Sequence, residues 1–118
     1  MKKKILIVED DSCIRELLVE AFVAEGFCAF GATNGFEALY SLEESIPDII
    51  LVDIMMPQMC GREFRKIQLS HPRFQNIPTI SMSAQTLDQD EFKLMGFEHY
   101  IAKPLELNEL FKKVDTLT

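Results

Sequence analysis

Ile49-Ile50-Leu51-Val52-Asp53 is the stretch whose reading decides the fold. Four consecutive aliphatic residues leave no polar face, so a strand here has to be covered by protein on both sides, as the central strand of a parallel sheet is. Strict apolar-polar alternation would instead mark a sheet with one face in water. The run also ends in a carboxylate, Asp53.

Working outward, three more short apolar runs end in a reactive polar group: Ile5-Leu6-Ile7-Val8 before Glu9-Asp10, Thr79-Ile80-Ser81-Met82 before Ser83, and Tyr100-Ile101-Ala102 before Lys103. As neighbouring parallel strands they would bring their carboxyl ends to one edge of the sheet, where open α/β sheets bind ligands. Three carboxylates, a hydroxyl and an ammonium would meet there.

Strand and helix alternate from end to end. Asp11 or Ser12 caps a first helix that carries Ile14, Leu17, Leu18, Ala21 and Phe22 on one face, and Gly26 stops it. Phe27 to Gly31 makes a short strand. A second helix, Gly35 to Glu44, turns Ala38, Leu39 and Leu42 inward and ends before Pro47. Pro57 and Gly61 shape the loop to a third helix, about Arg62 to Leu69, which His71-Pro72 closes. A fourth helix runs around Leu87 to Met95 and ends at Gly96, and the last covers Glu106 to Leu117. Right-handed crossovers then give a doubly wound α/β sandwich with five parallel strands in the order 2-1-3-4-5 and helices on both faces, one domain over residues 1–118. In that order the first and third strands flank the switch point, with Glu9, Asp10 and Asp53 in its crevice.

Composition narrows the class. A content of 47% hydrophobic and 26% charged residues is that of a globular protein. No apolar run approaches the roughly 20 residues of a membrane helix, and Ile5 to Val8 after Lys2-Lys3-Lys4 is too short for an export signal. A formal charge of -7 argues against direct contact with nucleic acid. Cys13, Cys28 and Cys60, odd in number and without a C-x-x-C pair, indicate neither disulfides nor zinc and fit a reducing cytoplasm.

Glu9, Asp10 and Asp53 carry three negative charges against the single positive charge of Lys103, an arrangement unfavourable at close range. A hard divalent cation resolves it, and Mg²⁺, which takes one or two carboxylates with waters and a phosphate, is expected. Given a phosphoryl donor, the Asp53 carboxylate is the nucleophile and forms an acyl phosphate. Lys103 and the metal on Asp10 and Asp53 neutralise the phosphoryl oxygens, and Ser83 donates a hydrogen bond to the product.

These residues resemble the receiver domain of two-component response regulators, a flavodoxin-like fold, over essentially the whole chain. The likeness rests on Ile5-Leu6-Ile7-Val8-Glu9-Asp10, on the D-x-x-M-P-x-x-x-G pattern of Asp53, Met56, Pro57 and Gly61, on Ser83-Ala84, and on Tyr100-Ile101-Ala102-Lys103-Pro104. It implies that Asp53 accepts a phosphoryl group from the phosphohistidine of a sensor histidine kinase or a histidine phosphotransfer protein. It further implies Mg²⁺ on Asp10, Asp53 and the backbone carbonyl of Met55 with Glu9 acting through water, Lys103 on the phosphoryl group, and a cis Lys103-Pro104 peptide.

Switching by resemblance moves Ser83 toward the phosphoryl group and rotates Tyr100 into the vacated space. A downstream protein would read the face of the fourth helix, fifth strand and last helix, in a monomer or a phosphorylation-dependent dimer. The domain would catalyse its own phosphorylation and dephosphorylation without being a turnover enzyme. Ser83 stands where the family more usually has threonine, Cys60 where it often has Asp, and His99 where an acidic residue is common; Met55 and Gln85 occupy positions that tune phosphoryl lifetime.

The chain ends soon after its last helix, so a free-standing receiver is expected, with the receiver half of a longer transcription factor or output enzyme as the alternative. A flavodoxin-like nucleotide or flavin binder is a second alternative, but it would need a Gly- or Ser/Thr-rich loop where Glu9-Asp10-Asp11 stands. His71 and His99 are expected to face solvent and Met55, Met56 and Met59 to fill loop and core space. Phe92 and Met95 are either core or output contacts.

Overall fold

In the computed structural model, which describes residues 2–84 and 88–118, the runs form strands β1 (Lys4–Val8), β2 (Cys28–Ala32), β3 (Ile49–Asp53), β4 (Thr79–Ser83) and β5 (His99–Ala102). Between and after them lie helices α1 (Ser12–Ala24), α2 (Gly35–Glu44), α3 (Gly61–Ser70), α4 (Gln89–Leu94) and α5 (Leu107–Leu117). All strand pairs are parallel, in the order β2-β1-β3-β4-β5. The expected α/β architecture holds, with element ends moved by a residue or two.

Side chains of a strand alternate between its faces, and here the two faces build two cores. Ile5, Ile7, Ile49, Leu51, Ile80 and Met82 pack on Leu18 and Phe22 of α1 and Leu110 and Val114 of α5. Leu6, Val8, Ile50 and Val52 pack on Ala38 and Leu42 of α2, Phe64 of α3 and Phe92 of α4. All of these are buried, and at about 1.5–3 kcal/mol for each large aliphatic or Phe side chain the two layers are the main stabilising term. β3 is buried at every residue, which is what its uninterrupted apolar run demanded.

Local signals set the helix ends. The Asp11 side chain accepts from the N–H groups of Cys13 and Ile14, so Asp11 is the cap of α1, and Gly26 at φ 98° ends that helix in the left-handed region. Asp88 and Glu91 form a reciprocal capping box at the start of α4. Leu87, expected at the start of that helix, lies outside the described residues.

Leu17 departs from its expected place: it is exposed. Burial of Leu18 and Phe22 centres the inward face of α1 on that pair, which turns Leu17, about 100° around the helix from Leu18, toward the flank. Phe92 is core, 3% exposed, and Met95 packs partly buried against the same cluster.

The second surface of β4 is polar. Thr79, Ser81 and Ser83 alternate with Ile80 and Met82, yet all three hydroxyl residues are buried. Thr79 Oγ1 accepts from Arg65 Nη1 at 3.0 Å, and the same nitrogen donates to Gln68 Oε1 at 2.9 Å. Arg65 Nε donates to the carbonyl of Gly96, while Gln68 Nε2 donates to the carbonyls of Phe74 and Ile77. Burial pulls the Arg65 pKa below its ordinary value, and the charge of Glu98 opposes that. The network joins α3, β4 and the turns beside them.

Gln68→Met keeps volume but takes one donor from each of the Phe74 and Ile77 carbonyls and removes an acceptor from both the buried guanidinium and the Thr79 hydroxyl. A loss of about 2–3 kcal/mol in urea unfolding, with an unchanged m value, is the expected result.

Candidate functional site

Parallel register assembles the site. Val8 lies opposite Val52, so the next residues, Glu9 and Asp53, end adjacent strands side by side. Asp53 pairs with Met82 and Ser83 with Ala102, which brings Ser83 and Lys103 to the same edge. The Lys103 backbone N–H donates to the Ser83 carbonyl at 2.8 Å, continuing the ladder one step beyond β5. The Lys103-Pro104 peptide is cis.

Carboxylate oxygens of Glu9, Asp10 and Asp53 lie within 4.8 Å of one another. Glu9 is fully buried, Asp53 is 4% exposed and Asp10 faces solvent. Lys103 Nζ donates to Glu9 Oε1 at 2.6 Å and to Asp53 Oδ2 at 3.1 Å. The other Asp53 oxygen accepts from the Met55 N–H at 3.1 Å, and Glu9 Oε2 accepts from the Asp11 N–H at 3.3 Å. Such charge-assisted bonds orient both buried carboxylates.

Crowding raises the Asp10 pKa above its ordinary 3.8, through desolvation first and then hydrogen bonding to and repulsion by Glu9. For Lys103, burial acts to lower the pKa, but the hydrogen bonds and charges of Glu9 and Asp53 outweigh it and the net shift is upward. The lysine therefore stays cationic at neutral pH.

The loop after β3 is shaped for close approach. A Cβ on Gly61 would sit 2.6 Å from the Asp53 carbonyl oxygen and 2.8 Å from Ile54 Cα, so only glycine lets α3 begin against the end of β3. The Gly61 N–H donates to the Ile54 carbonyl at 2.9 Å. Gln58 has φ 69°, and its side chain accepts from Asn34 Nδ2 at 3.1 Å, tying this loop to the cap of α2. Met56 and Met59 fill core space as expected, whereas Met55 is exposed.

Ser83 is buried, 1% exposed, at the end of β4. Tyr100 is half-buried, and its ring stacks on Phe92 of α4 with centroids 4.1 Å apart and planes 6° from parallel. Gln85 lies outside the described residues. The three cysteines are free. His71 and His99, expected to face solvent, are half-buried; His71 stacks on Phe74.

Two features escaped the sequence reading. Arg15 Nη1 donates to the Glu9 carbonyl at 2.9 Å, and exposed Leu17 joins Ile14, Leu105 and Leu107 around a cleft of about 350 Å³ beside Lys103 and Pro104. Only the i, i+3 spacing of Ile14 and Leu17 hinted at the cleft.

The donor set suits a hard cation. All three carboxylates offer oxygen, none offers nitrogen or sulfur, and one ammonium leaves negative charge uncompensated, the conditions under which Mg²⁺ binds. The first turn after β1 carries Glu9 and Asp10, whose charge repels a phosphate, which removes support for the nucleotide or flavin alternative.

A family model for the response regulator receiver domain matches residues 5–115. The polar-differentiation response regulator DivK of Brucella anthropi is 32% identical over 97% of this chain and 94% of its own. Chemotaxis protein CheY4 of Vibrio cholerae superposes with a TM-score of 0.93 at 25% identity, each chain covered in full. Response regulator TrrA of Thermotoga maritima, solved in complex with Mg²⁺-BeF, gives a TM-score of 0.88 at 30% identity, again over the whole of both chains. Among the described residues, no helix is long and apolar enough to cross a membrane.

Because the Asp10 pKa is raised, the folded protein binds this proton more readily than the unfolded chain, so metal-free stability falls as pH rises through the shifted value. Asp10→Asn is expected to raise the metal-free melting temperature by a few degrees at neutral pH. That advantage should vanish on acidification, when protonation does what the substitution did; thermal denaturation across pH in EDTA checks both.

Proposed function

The chain belongs to the response regulator receiver domain family, and from that premise we propose that Asp53 is its phosphoacceptor. The donor is the phosphohistidine of a sensor histidine kinase or a histidine phosphotransfer protein. The observation that carries this reading is the cluster of Glu9, Asp10 and Asp53 with Lys103 reaching across it.

An Asp53 carboxylate oxygen attacks phosphorus, the phosphorus-nitrogen bond breaks, and the imidazole leaves, giving an acyl phosphate. The Lys103 ammonium, held by two carboxylates, exchanges part of that pairing for the oxygens of the transferred group. Asp10, Asp53 and the Met55 backbone carbonyl would hold Mg²⁺, with Glu9 acting through water. The ion, when bound, would neutralise charge on the phosphoryl oxygens and on the cluster. The oxygen-only donor set supports this assignment, as does the Mg²⁺-BeF complex of the TrrA relative. Receiver domains are generally not turnover enzymes; here the chemistry is self-modification of Asp53 and its hydrolysis.

Output follows from contacts that differ between two states. Ser83 turns toward the phosphoryl group and Tyr100 moves into the space. Leaving the stack on Phe92 removes a contact between β5 and α4, so the face of α4, β5 and α5 changes shape for a downstream protein. The free cysteines fit a cytoplasmic location.

A protein donor must rest on the rim of the crevice to bring its histidine to Asp53. The apolar cleft of Ile14, Leu17, Leu105 and Leu107 lies on that rim and suits such a contact.

Incubation with a small acyl-phosphate donor should add the mass of one phosphoryl group only when Mg²⁺ is present, and Asp53→Ala should abolish the gain. No gain in folded protein would sink the phosphoacceptor assignment. Leu17→Glu should leave labelling by the small donor intact while slowing transfer from the cognate histidine protein about tenfold or more, a hot-spot-sized loss. Transfer from the histidine protein to Leu17→Glu at the wild-type rate would remove the cleft from the docking surface.

A further inference from the structure

Glu9 and Asp10 stand on a turn, not on a strand, so something must hold that turn if Asp10 is to face Asp53. Backbone bonding supplies one tie, from the Glu9 N–H to the Ala32 carbonyl at 3.0 Å. Arg15, one turn into α1, supplies another. Its Nη1 donates to the Glu9 carbonyl at 2.9 Å and lies 3.5 Å from the Asp10 carbonyl, at the limit of a hydrogen bond.

The rest of the side chain is equally constrained. A Cβ built on Gly31 would sit 3.0 Å from Arg15 Cδ and 3.1 Å from Cγ, so the arginine stem lies flat on a strand backbone that has no side chain. Among the described residues no carboxylate forms an ion pair with Arg15. Its charge is directed at two successive main-chain carbonyls, those of Glu9 and Asp10, and not at a carboxylate. A guanidinium suits this role because its planar fork holds an orientation that a flexible ammonium does not.

We propose that Arg15 is a positioning residue for the cation site: it fixes the Glu9-Asp10 turn through its main-chain carbonyls so that the Asp10 carboxylate is presented to Mg²⁺ together with Asp53, and Gly31 provides the trough in which it lies. The proposal rests on the reading of the acidic cluster as a Mg²⁺ site. Groups that orient ligands from outside the coordination sphere commonly change metal affinity about 10–100-fold when removed.

The experiment compares wild type, Arg15→Gln, Arg15→Lys and Gly31→Val. Mg²⁺ binding to the unphosphorylated protein is measured by calorimetry, melting temperature in EDTA, and acyl-phosphate labelling rate against Mg²⁺ concentration. Arg15→Gln should weaken Mg²⁺ binding about tenfold, and Arg15→Lys should recover part of the loss. Labelling by Arg15→Gln should need more Mg²⁺ but approach the wild-type rate at saturation, with little change in the EDTA melting temperature. Gly31→Val, which fills the trough while leaving Arg15 in the sequence, should reproduce the affinity loss and serves as the deciding variant if Arg15→Gln does not fold. Folded variants that bind Mg²⁺ as wild type does, whatever their melting temperature, would overturn the proposal and leave Arg15 a structural link. A wild type that binds no Mg²⁺ would overturn the metal reading itself, and the proposal with it.

Discussion

Three carboxylates whose oxygens approach within 4.8 Å, balanced by the ammonium of Lys103, are the constraint on which the rest of the structure depends. At an effective dielectric near 20, two unit charges at such a distance repel by about 3–4 kcal/mol. The chain does not relieve this by moving apart, because Glu9 and Asp53 are anchored by strands buried on both faces. The repulsion is instead met by a residue 94 positions away in sequence from Glu9, and it makes the crevice receptive to a further cation. Asp10, the exposed member, feels the crowding as a raised pKa. A site that lowers metal-free stability in exchange for binding is a common trade in functional proteins.

The two helical layers serve this site differently. On the side of α1 and α5, packing against the strands is almost wholly aliphatic and aromatic, and from it α1 reaches the Glu9-Asp10 turn through Arg15. On the other side, β4 presents hydroxyls, and the Arg65–Gln68–Thr79 network carries hydrogen bonds from α3 to the Gly96 turn between α4 and β5. A buried network with its bonds made holds α3, β4 and the turn before β5 in one arrangement. The Phe92–Tyr100 stack joins that region to the outer surface.

Much of this was legible in the sequence because each apolar run had a period or an absence of period with one physical reading. The uninterrupted Ile49 to Val52 run specified a strand covered on both faces, and Asp11 marked the start of the first helix. The strand order followed from chain handedness, and the position of Asp53 from the end of its strand. Arg65 and Gln68 were invisible, since polar residues in a helix of low mean hydropathy look solvent-facing until another element covers them. Leu17 was misplaced for the converse reason: a wide apolar stripe shows which residues favour burial, but only the angle at which α1 sits on the sheet selects among them.

By itself the sequence determined the layers, the strand edge at which chemistry collects and the residue types that collect there, because these depend on local periodicity and chain connectivity. Only the tertiary structure decided how those residues engage: Lys103 bridging Glu9 and Asp53, Glu9 fully buried, Arg15 on the Glu9 carbonyl, and Gly61 pressed against the Asp53 carbonyl. Each is a contact between segments whose separation is fixed by strand register and helix packing to within an ångström. Hydrogen bonds and ion pairs are sensitive to distances of that size, and residue spacing along a chain carries no such information.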